Sequence, residues 1–282
     1  MAVLVLGATG KTGRPVVEAL VARGIDVRAA SRHPGPLGAG VEPVRMDWSD
    51  PASWKPALRG VDGLYLVGPY AEPDNAGLVR RLLAAATGVR RVVHLSIIGV
   101  DQLPMAIPMA AWEQDVRESS LEWTILRPNW FFQNFEEGFG AALRERAVLE
   151  LPAGDAGIGF IDTLDVAEVA ATLLSEGGHG GQTYTLTGPE ALTLAQAVAE
   201  LGRAAGSDLR YHALVPEELA DRLTAAGAPG WAVEWQLALF RLIREGLNSQ
   251  VTDTVEAITG QPARPLSAYA DRQAHNWRRR AS

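Results

Sequence analysis

Three glycines near the N-terminus set the first chemistry this chain can perform. Gly7-Ala8-Thr9-Gly10-Lys11-Thr12-Gly13 follows a short apolar run, Val3 to Leu6, and precedes a stretch with Val16, Val17, Leu20 and Val21 on one face. A glycine triplet held between a buried strand and an amphipathic helix is a dinucleotide cradle. Gly7 allows the sharp turn, Gly10 lets a pyrophosphate approach the backbone, and Gly13 lets helix and strand pack closely. Thr9, Lys11 and Thr12 fill the same turn, and the helix N-terminus supplies N–H donors and a positive dipole for phosphates. Two residues separate Gly7 from Gly10, where the commoner spacing is one.

The end of the second strand selects the dinucleotide. An acid there would bind the ribose 2′-OH of NAD, but this chain has Ser31-Arg32. A guanidinium suits a 2′-phosphate that a carboxylate would repel. Lys11 is expected to add a second cation nearby, so the expected cofactor is NADP(H).

Other chemistries fall away on composition. The chain has no cysteine, which removes disulfides, thiolate zinc sites and a cysteine nucleophile. Its five histidines show no metal-ligand spacing, so no metal is expected, and His94, within a strand, reads as structural. The net charge is −7, with a basic cluster only at Arg278, Arg279 and Arg280. That balance argues against a nucleic-acid partner, which needs clustered positive charge. No apolar run approaches the roughly 18 residues of a membrane span, and Met1 leads into a strand rather than a signal peptide. The expectation is a cytoplasmic protein with a small-molecule substrate and no membrane partner, a monomer or a homodimer.

Strands and helices must hold these residues in place. Strands are expected at Val3 to Leu6, Ile25 to Ala30, Gly63 to Val67, Arg91 to Leu95 and Trp123 to Leu126. Between them lie a helix opened by Pro15 and closed by Gly24, a short one near Pro51 to Leu58, and others at Asn75 to Ala86 and Ala110 to Glu118. This alternation predicts an α/β fold with a Rossmann-type, doubly wound parallel sheet. Beyond about residue 135 the pattern loosens: short strands at Phe160-Ile161 and Tyr184 to Leu186, and helices at Thr163 to Leu174, Leu192 to Ala205, Pro216 to Ala226 and Trp231 to Arg244. The division expected is a cofactor domain over 1–150 and a smaller, mainly helical substrate lobe over 151–282, interleaved with the first and packed on it.

With these motifs in hand, the chain resembles the NmrA-like branch of the atypical short-chain dehydrogenase/reductase family over nearly its whole length. The resemblance rests on Gly7-Ala8-Thr9-Gly10, on Val93-His94-Leu95-Ser96, and on Leu121 to Pro128 followed by Phe131, Phe132 and Asn134. It rests also on Phe160-Ile161-Asp162 with Asp165-Val166-Ala167, and on Val255 to Gly260. It implies that Asp47, the acid after a third strand, contacts adenine. The branch includes quinone reductases, ergot-type iminium reductases, isoflavone-type reductases and redox-sensing regulators. This chain departs from the wider family in having no Tyr-x-x-x-Lys pair and no cation near Met109. The usual proton relay is missing, which disfavours simple ketones and favours electrophiles that are already activated.

Ligands of open α/β sheets lie beyond the carboxyl ends of the strands. Those ends are Val67-Gly68-Pro69-Tyr70, Leu95-Ser96-Ile97 and Arg127-Pro128-Asn129-Trp130. Val67, Gly68, Pro69, Leu95 and Pro128 are expected to border the cofactor. Ser96 stands where the family carries its catalytic serine and either hydrogen-bonds substrate or carboxamide or simply ends a strand. Tyr70 is the one tyrosine offered as a proton donor, with packing as the alternative. Trp130, Phe131 and Phe132 form an aromatic wall for a flat substrate or part of the core, and Asn134 is placed beside them. Trp231 and Trp235 share one helix face, in the core or as a lid over the pocket. Arg127 and Asn134 read as loop braces rather than chemical groups, and Asp162 and Asp165 as helix-start residues. The activity expected is NADPH-dependent hydride transfer to a quinone, iminium or enone. The rivals are an NADP(H)-sensing regulator without turnover and a non-redox isomerase or cyclase on the same fold.

Overall fold

The computed structural model describes residues 1–70, 75, 77–103 and 108–278; Arg279 and Arg280 of the basic tail, and Ala76 of the expected third helix, lie outside them. The first half alternates β1 (Ala2–Leu6), α1 (Gly13–Ala22), β2 (Asp26–Ser31), β3 (Val41–Arg45), α2 (Trp54–Leu58), β4 (Gly63–Val67), α3 (Leu78–Ala85), β5 (Arg91–Leu95), α4 (Met109–Arg117) and β6 (Glu122–Pro128). It continues through α5 (Gly140–Arg146), β7 (Val148–Leu151), α6 (Thr163–Glu176), β8 (Gln182–Leu186), α7 (Leu194–Ala205) and β9 (Arg210–Ala213). Helices α8 (Pro216–Ala225), α9 (Gly230–Arg244), α10 (Thr254–Thr259) and α11 (Leu266–Arg272) follow.

Seven strands form one parallel sheet in the order β3-β2-β1-β4-β5-β6-β8. Alternate side chains of β1 feed two layers: Val3 and Val5 pack with α1 and α6, Leu4 and Leu6 with α2, α3 and α4. This two-faced burial is why β1 reads as a continuous apolar run instead of an alternating one. The strand order reverses between β1 and β4, and a crevice opens above such a reversal at the carboxyl ends.

Residues beyond 150 divide between two places. β8 completes the sheet beside β6, and α6 covers its face beside α1. The parallel pair β7-β9, with α5, α7, α8, α9 and α11, surrounds a separate cluster built on Phe132, Phe135, Phe160, Tyr269 and Trp277.

Some expectations need correcting. Helix α1 begins at Gly13, two residues before Pro15; the proline sits in the first turn, where an N–H has no intrahelical partner to lose. Strand β3 gives no apolar signal because it is the sheet edge, with Val44 its one buried residue and Pro43 tolerated there. Phe160-Ile161 is no strand of the sheet; Ile161 makes a single parallel bridge to Phe131.

Candidate functional site

The glycine turn is built by contact. Gly7 has φ of +64°, and a Cβ on Gly13 would stand 2.2 Å from the Gly7 carbonyl oxygen. The Gly10 N–H donates to that same carbonyl at 2.8 Å. Glycine at these positions keeps the turn folded flat onto α1, leaving the first N–H groups of the helix pointing over the end of β1.

From this turn a cleft of about 590 Å³ runs across the ends of β4, β5 and β6, within the usual range for small-molecule sites. Of the expected site residues it brings together Gly7, Gly10, Lys11, Thr12, Val67, Tyr70, Leu95, Ser96, Pro128, Trp130, Phe131, Asn134 and Trp235. Thr9 lines a separate polar groove beside α6, and Gly13 is buried beneath the turn. Gly68 lies against the Trp112 ring, which a Cβ would approach to 2.4 Å, and Pro69 is buried beside it.

Ser31, Arg32 and Asp47 gather at the ends of β2 and β3, outside this cleft. Arg32 is exposed, with its charge near the Asp47 carboxylate. Hydrogen bonds from Ser49, with smaller help from Arg45 and Arg32, hold Asp47 below the usual carboxylate range. Lys11 does not join Arg32 as expected. Its ammonium reaches Asn134 Oδ1 at 2.8 Å and Glu137 at 3.3 Å, so it spans the cleft instead of the 2′ end. Asn134 thereby meets the glycine turn.

Ser96 occupies the floor. Its hydroxyl donates to Glu113 Oε1 at 2.5 Å, and Glu113, 1% exposed on α4, also receives two hydrogen bonds from Arg127 and one from Arg117. Burial alone would raise the Glu113 pKa; the bonds from Arg127, Ser96 and Arg117 overcome it and hold the value below normal. Sequence reasoning missed Glu113, although it shares the buried face of α4 with Met109, Trp112 and Val116 at helical spacing. Arg127, read as a loop brace, is its partner. His94 is buried beside this group, with Nδ1 on the Leu66 carbonyl, and burial lowers its pKa to about 4.

The walls are apolar. Trp130 stacks on Phe139 and tilts against Phe240, whereas Phe132 turns into the lobe core. Helix α9 lies over the cleft through Trp235, Leu239 and Leu242, and Trp231, one turn before Trp235, is 70% exposed. Trp235 lines the cleft and packs against the core cluster beneath it, whereas Trp231 faces outward. Tyr70 stands edge-on to Trp112. Met109 faces the cleft from α4. Asp162 caps α6 through the Leu164 N–H and holds Arg272, and Asp165 binds Arg264. Both are structural ties.

A flat glycine turn at a helix N-terminus, opening into an apolar cleft at a strand-order reversal, defines a dinucleotide-binding α/β protein, and the comparisons agree. The family described as NAD(P)H-binding matches residues 7–177. The chain is 36% identical to (4-alkanoyl-5-oxo-2,5-dihydrofuran-3-yl)methyl phosphate reductase of Streptomyces griseus subsp. griseus, over 96% of this chain and 98% of that one. It is 32% identical to the NAD(P)H azoreductase of Xenophilus azovorans, with 96% and 98% covered. The crystal structure of an NADPH-dependent quinone oxidoreductase from Escherichia coli, complexed with NADPH, superposes with a TM-score of 0.83 at 28% identity, covering 96% and 99%. The chain belongs to the NAD(P)H-binding family as an oxidoreductase, a reductase with the NmrA-like fold, and the resemblance read from its motifs is borne out. No helix among the described residues is long and apolar enough to cross a membrane.

Proposed function

We propose that this protein is an NADPH-dependent reductase that passes hydride to a small, largely apolar, conjugated electrophile: a quinone, an iminium ion or an enone. The observation that carries the reading is a cleft continuous from the glycine turn to Ser96, walled by Met109, Trp130, Phe131 and Trp235. When bound, the dinucleotide supplies hydride. Gly7, Gly10 and Thr12 seat its phosphates against the α1 N-terminus, and Lys11 closes over them from its tie to Asn134. Arg32 meets the 2′-phosphate, which is the basis for preferring NADPH. Trp130 and Phe131 hold a flat acceptor against the nicotinamide, so that orientation does most of the catalytic work. The three relatives named above are reductases of a furanone phosphate, of azo compounds and of quinones, and this supports an activated electrophile.

The test is NADPH oxidation by the purified protein with 1,4-naphthoquinone, a cyclic imine and a cyclic enone at millimolar levels. At least one is consumed, and Trp130→Ala lowers kcat/KM for it roughly tenfold while the NADPH dissociation constant stays within threefold. Absence of turnover with all three removes this reading and leaves the non-turnover sensor or a non-redox step.

A further inference from the structure

The floor of the cleft carries a serine whose one proton is already used. Ser96 Oγ lies 2.5 Å from Glu113 Oε1, and Glu113 is ionised between two guanidinium groups. An ionised carboxylate only accepts hydrogen bonds, so the direction of this one is fixed. Toward the cleft Ser96 can present nothing but lone pairs.

A second oxygen nearby has the same character. The Trp130 N–H donates to Asn129 Oδ1, which fixes the Asn129 amide, and its Nδ2 donates to the Asn248 carbonyl. The Asn248 Nδ2 must then face Asn129 Oδ1, at 3.1 Å. This leaves Asn248 Oδ1 buried with no partner among the described residues, on a side chain that lines the cleft. The cleft's cation, Lys11, is held by Asn134 and Glu137 beside the glycine turn, and the Tyr70 hydroxyl belongs to a residue 44% exposed. The buried floor offers acceptors. A carbonyl oxygen set against it would oppose lone pair to lone pair.

Building on the hydride-transfer reading above, we propose that Glu113 positions Ser96 as a hydrogen-bond acceptor, and that the electrophile this cleft selects is a protonated imine whose N–H donates to Ser96 Oγ. The step balances without a protein acid. Hydride from NADPH adds to the imine carbon, the C=N π pair becomes the nitrogen lone pair, and nitrogen keeps the proton it arrived with. The products are a neutral amine and NADP⁺. A quinone, by contrast, would set the oxygen on which negative charge develops against the lone pairs of Ser96 and Asn248, which stabilise no oxyanion. The committed serine and the unpartnered Asn248 oxygen therefore point to the same substrate chemistry.

Calorimetry tests this on the full chain loaded with NADP⁺, using tetrahydroisoquinolinium, which carries N–H, and its N,N-dimethyl analogue, which does not. Ser96→Ala weakens the N–H ligand about tenfold to a hundredfold, the span of a hydrogen bond to a charged group, and changes the dimethyl ligand less than threefold. Glu113→Gln, which frees the serine hydroxyl to rotate, weakens the N–H ligand by an intermediate factor, again without moving the other. Equal loss for both ligands overturns the proposal. So does an unchanged N–H affinity with a gain for the dimethyl ligand, since that reports only relief of crowding. Turnover with dihydroisoquinolinium, its N-methyl form and naphthoquinone separates this inference from the one beneath it. If naphthoquinone consumes NADPH and the N–H substrate has no advantage, the reductase reading stands and the selectivity falls. If nothing is consumed while Ser96 still discriminates the amines, the acceptor role stands and the reductase reading falls.

Discussion

Replacing Glu113 by glutamine removes one charge from the most densely bonded side chain near the cleft while keeping its shape. The carboxylate is 1% exposed and receives four hydrogen bonds, one from Ser96, two from Arg127 and one from Arg117. Breaking a buried pair costs roughly 3–5 kcal/mol because the remaining charge is stranded. Here the stranded groups are partly wet, with Arg127 side chain 21% and Arg117 32% exposed, and glutamine keeps one acceptor. The low end of that range applies, about 3 kcal/mol, which for a chain of this size lowers Tm by roughly 6–12 °C. The pH dependence follows from the depressed pKa of Glu113. Its contribution is full above the usual carboxylate range and is lost as pH falls through the folded value, where the wild-type side chain also becomes neutral. Urea denaturation at pH 7, 5 and 4 should show the gap between wild type and Glu113→Gln narrowing toward acid. A Tm loss under 2 °C at pH 7, or a gap that stays constant down to pH 4, refutes the account of this cluster.

The remaining predictions concern other parts of the site. Arg32→Asp should weaken NADPH at least tenfold in a nicotinamide-fluorescence titration and leave NADH within threefold; equal losses would show that Arg32 does not meet the 2′-phosphate. Gly13→Ala places a methyl 2.2 Å from backbone that cannot yield, and should cost roughly 1–3 kcal/mol in urea denaturation along with cofactor affinity; wild-type values would mean the turn is looser than described. His94, with a pKa lowered to about 4 by burial, stays neutral in the fold while the unfolded chain takes up a proton below about 6.5. Stability should therefore fall by up to about 3 kcal/mol between pH 6.5 and 4, and His94→Phe should flatten that part of the profile.

The sequence was readable where one residue type had one physical reason to be there. The glycine turn and the strand ends are local devices, visible in a few consecutive letters. β3 was not readable, because an edge strand with a single buried residue carries no hydrophobic period. β7 and β9 were hidden for a similar reason: each is four residues long, and they pair across about sixty residues of chain. Glu113 looked like one more charge on an amphipathic helix. Its meaning lies in Arg127, fourteen residues away on a neighbouring strand, and no local period reports such a pairing. Lys11 was misdirected because a turn sequence shows where a side chain starts and not where it ends.

The placement of α6 and β8 has a consequence for how the chain reaches this fold. The face of the sheet carrying Val3, Val5, Tyr65 and Val93 is covered by Val166, Val169, Ala170 and Leu173 of α6, and the free edge of β6 is closed by residues 182–186. At the usual pace of synthesis, on the order of ten seconds separates the making of β5 from the making of α6. Through that interval the nascent cofactor half holds an unpaired strand edge and an apolar face that α1 covers only in part. A fragment cut at residue 150 would keep both permanently, and should precipitate or bind chaperones where the full chain stays in solution.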